Sequence, residues 1–235
     1  GERRQRDHIG LHSRLGQGHC SRSFLMCALP LGINLKQVGK RHGRQWVLRK
    51  VDLDVPSGSI QAILGANGSG KSSLLRLMCA FDRPSEGELT WSAGGQSLNA
   101  MEVPTRMAYC APDQGLISDL DVIEHIALHQ RLRRPIAETQ VEQVLELALL
   151  ADKANVRVRD LSSGMRQRLS LALAFSTNSN ALFLDEPTSH LDRAGKAWYQ
   201  KMVADWRHGR TLVVASNHDE TEYPGADSAW EFPFS

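Results

Sequence analysis

Residues 59–64 read SIQAIL and residues 65–72 read GANGSGKS. This junction constrains the chain more than any other stretch. The apolar run bounded by glycine reads as a buried strand, and LLRLMCAF over 74–81 has a helical apolar face. Between them stands the full pattern G-x-x-x-x-G-K-[ST], in the strand–loop–helix context that a phosphate-binding loop requires. A flexible linker would use the glycines and serines but has no need of the lysine. Gly65, Gly68 and Gly70 let the backbone turn tightly and bring its N–H groups to phosphate oxygens. Lys71 supplies a full charge for β- and γ-phosphates, and Ser72 offers a hydroxyl to Mg²⁺. Ala66, Asn67, Ser69 and Ser73 complete the candidate nucleotide-binding stretch. The helix N-terminus adds partial positive charge.

A second apolar strand, ALFLDEPTSHLD over 181–192, ends in two acids. Open α/β sheets bind ligands at the C-terminal edge of their strands, where such acids arrive. Asp185 is placed to hold Mg²⁺, through water, and Glu186 to orient and deprotonate an attacking water. Strand alternation sends the two side chains to opposite sides, so their tasks differ.

Strands read at 32–38, 46–54, 59–64, 87–92, 106–111, 181–186, 211–217 and 228–232. Helices read at 71–80, 120–132, 137–150, 164–176 and 193–207, with Asp121 and Glu124 as a capping box opening the second. Residues 32–111 and 177–235 alternate strands with helices, while 112–176 are mostly helical. The reading is an α/β core interrupted by a helical insertion.

The 235 residues suffice for one sizeable domain, and 41% apolar with 23% charged residues is ordinary for a soluble globular protein. A net charge of +2 sets up no global basic field, so nucleic acid is not expected as a partner. Cys20, Cys27, Cys79 and Cys110 match neither a zinc pattern nor a dense disulfide framework, and fit a reducing compartment. No apolar stretch reaches the roughly 18 to 20 residues that span a bilayer. FLMCALPLGI over 24–33 has the length of a signal-peptide core but leads directly into the first expected strand. Residues 1–30 are expected to be a disordered extension.

LSSGMRQRLSLALAF over 161–175 then decides the family. With the phosphate loop and acid pair in this order, the chain resembles an ABC-type ATPase, the nucleotide-binding subunit of ATP-binding-cassette transporters. Leu161, Ser162, Ser163, Gly164 and Met165 stand at the family's signature, usually Leu-Ser-Gly-Gly-Gln; Ser162 and Gly164 match, Ser163 and Met165 depart. The Ser-Ser-Gly-Met variant looks like that of cassettes serving exporters. A serine hydroxyl and backbone N–H groups at a helix start make a second anion site. The resemblance implies that this site closes on the γ-phosphate of ATP held by a second subunit. His218, in VVASNHDE, stands at the family's switch histidine, which bonds the γ-phosphate and fixes the attacking water. SHLD over 189–192 resembles the loop that carries signals across the dimer, with Asp192 its usual acid.

The resemblance covers about residues 32–232. It implies a P-loop NTPase core of ABC-ATPase type over 31–235, with an antiparallel β subdomain and an α-helical subdomain inserted at about 112–176. Lys71, Glu186 and His218 would be catalytic, and ATP and Mg²⁺ the cofactors. Partners would be transmembrane permease subunits and a second ABC subunit, most simply an identical one. The chain would sit on the cytoplasmic face of the inner membrane, peripheral through its partner, with residues 113–135 taking the docking contact.

Two positions depart from the family. His42 stands where a tyrosine commonly stacks on adenine, with Trp46 close by in sequence. Imidazole stacks over less area. In YCAPDQGL over 109–116, Pro112 occupies the usual glutamine position. Proline cannot reach a metal, so Gln114 or Asp113 substitutes there, or Mg²⁺ keeps an extra water. Two other classes compare poorly. Soluble ABC-type ATPases of ribosomes or DNA usually carry two cassettes, long coiled coils or zinc modules, none of which is read here. A GTPase would want Asn-Lys-x-Asp, which is absent from the sequence.

Overall fold

The computed structural model describes residues 29–112 and 115–232. The expected extension therefore lies almost wholly outside the described residues, as do Asp113 and Gln114.

Two sheets form. Strands β1 (Leu31–His42), β2 (Gln45–Val55), β4 (Glu86–Ala93) and β5 (Gln96–Leu98) make an antiparallel sheet of order β2-β1-β4-β5. Strands β3 (Ile60–Leu64), β6 (Met107–Cys110), β7 (Ala181–Asp185), β8 (Thr211–Ser216) and β9 (Ser228–Glu231) make a parallel sheet of order β6-β7-β8-β3-β9. The short β5 has no counterpart in the sequence reading, because Gln-Ser-Leu after two glycines carries no apolar pattern.

The runs IQAIL, ALFLD and TLVVAS are apolar on both faces, as strands of a doubly covered parallel sheet must be. Alternation sorts their side chains. Ala181, Phe183, Val213 and Ala215 join the cluster beneath helix α1 (Lys71–Met78). Leu182, Leu184, Leu212 and Val214 join that beneath α4 (Ser163–Ser176) and α5 (Arg193–Trp206). Each fully buried Leu or Phe here contributes about 1.5–3 kcal/mol.

Between β6 and β7 run α2 (Val122–Leu132), α3 (Val141–Leu147), short 3-10 turns and then α4, with an apolar cluster of their own. The expected capping box opens α2: the Glu124 carboxylate accepts the Asp121 N–H at 3.0 Å. The helix expected over 137–150 is shorter. Ala137 and Glu138 take left-handed φ of 47° and 55° in a 3-10 turn, and Gln140 with Gln143 caps a new start. Leu149, at φ 56°, lies beyond its end. No helix among the described residues is long and apolar enough to cross a membrane.

Two polar groups, one buried and one half-buried, tie these layers. Arg210 is 0% exposed and donates to the carbonyls of Phe175, Thr177 and Arg207, each at 2.9 Å, to that of Trp206, and to Ser179 Oγ at 3.1 Å. One guanidinium thereby satisfies the open ends of both α4 and α5. Replacing it by alanine strands those carbonyls. Arg210→Ala is expected to lower the unfolding free energy by about 3 kcal/mol in urea denaturation.

His129 of α2 donates Nε2–H to Thr177 Oγ at 2.8 Å, since the Thr177 hydroxyl is already spent on the Leu173 carbonyl at 2.7 Å. Burial, with Arg133 and His125 adding to it, pushes this imidazole down to about 4. Its folded pKa lies below the unfolded value of about 6.5. Stability therefore falls as pH drops from about 6.5 towards 4. His129→Gln keeps a donor and is expected to give a shallower decline of unfolding midpoint over that window; His125, also lowered by burial, retains its own share.

Candidate functional site

β3 delivers the phosphate loop at its C-terminal end, and α1 begins at Lys71. Gly70 sits at φ 109°, and a Cβ there would meet Val47 and Leu48 side chains of β2 at 3.1 Å. The loop is thus seated against the antiparallel sheet. Ser69 Oγ is buried without a hydrogen-bond partner, an orphan that a bound phosphate would satisfy.

Lys71 is 4% exposed, and its ammonium folds back over the loop, donating to the carbonyls of Gly65 at 2.8 Å and Ala66 at 3.0 Å. It stands 3.8 Å from Glu186 Oε1. β7 ends at Asp185, which is buried, with Ser72, Lys71 and Tyr109 near enough to act on its carboxyl. Burial raises its carboxyl, and the neighbouring Glu186 adds to this, against the hydroxyl of Ser72 and the charge of Lys71. A buried carboxylate against a hydroxyl is a hard oxygen donor set, and it fits Mg²⁺. Glu186 follows at φ 43°, with its N–H given to the Ala215 carbonyl at 2.9 Å and its side chain 31% exposed. The structure therefore brings together Ser69, Lys71, Ser72, Asp185 and Glu186.

His218 lies in the turn after β8, at φ 61°, with an exposed side chain 4.0 Å from Glu231. His42 ends β1, exposed in the hairpin opposite Gln45. Trp46 is half-buried and lies between the guanidiniums of Arg41 and Arg49, at 5.6 and 5.3 Å from its ring centre. Pro112 follows β6 in a turn, and the candidates Asp113 and Gln114 lie outside the described residues.

Leu161 anchors the start of α4 in the helical cluster at 4% exposure. Ser162 is the N-cap, and its Oγ accepts the Met165 N–H at 3.2 Å. Ser163 and Gly164 form the first turn. A Cβ on Gly164 would stand 3.0 Å from the His190 carbonyl, so helix and SHLD loop meet there. Asp192 caps α5, accepting the Gly195 N–H at 2.7 Å.

Sequence reasoning missed the residues behind these loops. Gln167 is buried and donates to the Pro187 carbonyl at 2.8 Å. Glu222 is 3% exposed and accepts from Thr188. Neither carries a signal in sequence, where a glutamine in a basic helix and a glutamate in DETE read as solvated.

A family model described as ABC transporter matches residues 48–189, more than half of the chain. The chain belongs to the ABC transporter family. The match spans the phosphate loop, signature and acid pair. An aliphatic sulfonates import ATP-binding protein (SsuB 2) of Pseudomonas fluorescens is 35% identical over 201 residues, covering 84% of this chain and 71% of the relative. A Nod factor export ATP-binding protein I of Cupriavidus pinatubonensis is 32% identical over 197 residues, covering 82% and 61%. The chain thus spans less than two thirds of that relative's length. Among solved structures, the ATP-binding cassette MJ0796, dimeric in a post-hydrolysis state with ADP and phosphate, matches with a TM-score of 0.69. Its identity is 24%, with 85% of this chain and 94% of that one covered, so it speaks for the ABC ATPase fold.

Lys71 is the one full positive charge in this chain's phosphate loop. Lys71→Ala is expected to weaken binding of a non-hydrolysable ATP analogue by about 10- to 100-fold in calorimetric titration, the value of one charged hydrogen bond. Unchanged affinity would remove Lys71 from the site.

Proposed function

We propose that this chain is the ATP-binding and ATP-hydrolysing subunit of a multi-chain ABC transporter, working as a dimer closed around ATP to drive transport through separate transmembrane subunits. The observation that carries the reading is the convergence of Lys71, Ser72, Asp185 and Glu186 at one sheet edge. The ATPase domain runs from residue 31, with the helical subdomain between about 112 and 176.

Gly65 to Ser73 cradle the phosphates, and Lys71 leaves the carbonyls of Gly65 and Ala66 for the β- and γ-phosphate oxygens. His42 stacks on the base. Ser72 and Asp185 would hold Mg²⁺, with Gln114 the candidate for a further ligand, and the ion would neutralise phosphate charge. Glu186 orients the attacking water and accepts its proton as the O–P bond forms, and ADP leaves with the electron pair of the broken bond. His218 donates to the γ-phosphate and fixes the water. Leu161 to Met165 belong to the opposite site: the Ser162 hydroxyl and the α4 N-terminus meet the γ-phosphate bound by a second, identical subunit. Hydrolysis removes the bridge between the subunits, and the dimer reopens.

Relatives named for import and for export are similar to this chain at comparable identity. That supports a shared power-supplying module whose cargo is chosen by the membrane subunits. The same reading places the chain on the cytoplasmic face of the membrane, held there by those subunits.

Glu186→Gln keeps the shape and removes the base. It is expected to slow phosphate release by about 100-fold or more and to accumulate an ATP-bound dimer. Light scattering after size exclusion at saturating ATP and Mg²⁺ reads the second effect. A strictly monomeric Glu186→Gln chain would defeat the sandwich mechanism.

A further inference from the structure

Glu186 and His218 share a backbone peculiarity. Both are non-glycine residues in the left-handed region, at φ 43° and 61°. Such conformations persist only where the surroundings over-determine them. The two turns are consecutive strand ends of one sheet, after β7 and after β8, and one buried carboxylate lies between them.

That carboxylate is Glu222, four residues beyond His218 in a 3-10 turn over Glu220–Glu222. Its Oε1 accepts both the N–H and the hydroxyl of Thr188 at 3.0 Å, two residues beyond Glu186. Ser216, at the end of β8, is tied to the same turn, its Oγ accepting the Asp219 N–H at 3.1 Å. The Glu222 main-chain carbonyl accepts the buried Tyr199 hydroxyl of α5 at 2.6 Å. Asp219, next to His218, is fixed by the Lys196 ammonium at 2.6 Å and the Thr221 hydroxyl at 2.6 Å, and its Oδ2 also accepts the Thr188 hydroxyl at 3.4 Å. The turn after Glu186 is also held from its other side, where Gln167 of α4 donates to the Pro187 carbonyl at 2.8 Å.

We propose that Glu222 is a positioning residue for hydrolysis: by holding Thr188 with a buried carboxylate that itself belongs to the segment after His218, it locks together the turns that present Glu186 and His218. It touches no substrate. It sets the distance between the group that takes the proton and the group that fixes the water. This rests on the hydrolytic reading above.

The test is the ATPase rate of the full chain against Mg²⁺–ATP, beside analogue affinity by titration. Glu222→Ala is expected to lower kcat by about tenfold or more, since sub-ångström misplacement of reacting groups is that costly, while analogue affinity stays within about twofold of the parent. Glu222→Gln keeps an acceptor oxygen for both Thr188 donors and should recover most of kcat. Thr188→Val removes one of the two bonds without a cavity and should lower kcat less; it decides the matter if Glu222→Ala fails to fold. Parental kcat in Glu222→Ala or in Thr188→Val overturns the inference. So does a Glu222→Gln as slow as Glu222→Ala, or a loss of affinity in step with kcat, which a merely structural residue would give. An inactive parent chain instead sinks the hydrolytic reading itself, and the inference with it.

Discussion

Covering both faces of β7 and β8 forces a strict division of their side chains. Odd positions of each strand go under α1, and even positions go under α4 and α5. Asp185 continues the odd series, so it emerges on the α1 side, against Ser72. Glu186 is the first residue past the strand, and there the chain turns left-handed. The two carboxylates, one proposed for the metal and one for the water, are therefore separated by pleat geometry before any ligand is considered.

Charge balance at that edge is local. Lys71 is nearly fully buried, and a buried ammonium needs partners. It finds two carbonyls of its own loop and a carboxylate 3.8 Å away. These partners are exchangeable: phosphate oxygens offer stronger hydrogen bonds than carbonyls do. The loop is thus braced by the same ammonium that it offers to a phosphate.

Much of this was legible in advance. Continuous apolar strands, the glycine-lysine loop and the acid pair each rest on patterns of a few adjacent residues, and adjacency is what a sequence displays. The Asp121–Glu124 cap was readable for the same reason. The second helix of the insertion was read too long, because VEQVLELALL keeps an apolar face beyond the point where Leu149 turns left-handed. Glu222, Gln167 and Arg210 were invisible. Each joins elements far apart along the chain, and an acid, an amide or a guanidinium in a polar stretch gives no hint that it is 0–3% exposed. Long-range polar satisfaction is decided by packing, after local pattern has finished speaking.

Ser162 shows how narrow the choice of residue becomes where helix capping and anion contact coincide. Its oxygen lone pair is occupied by the Met165 N–H, while the hydroxyl hydrogen remains able to point outward. Aspartate would cap the helix as well, yet would turn a negative charge towards any phosphate. Alanine would give up both roles, and glycine would keep only the backbone geometry. In the proposed function, only a small alcohol serves the helix and an incoming anion at once, accepting inward and donating outward through a single atom.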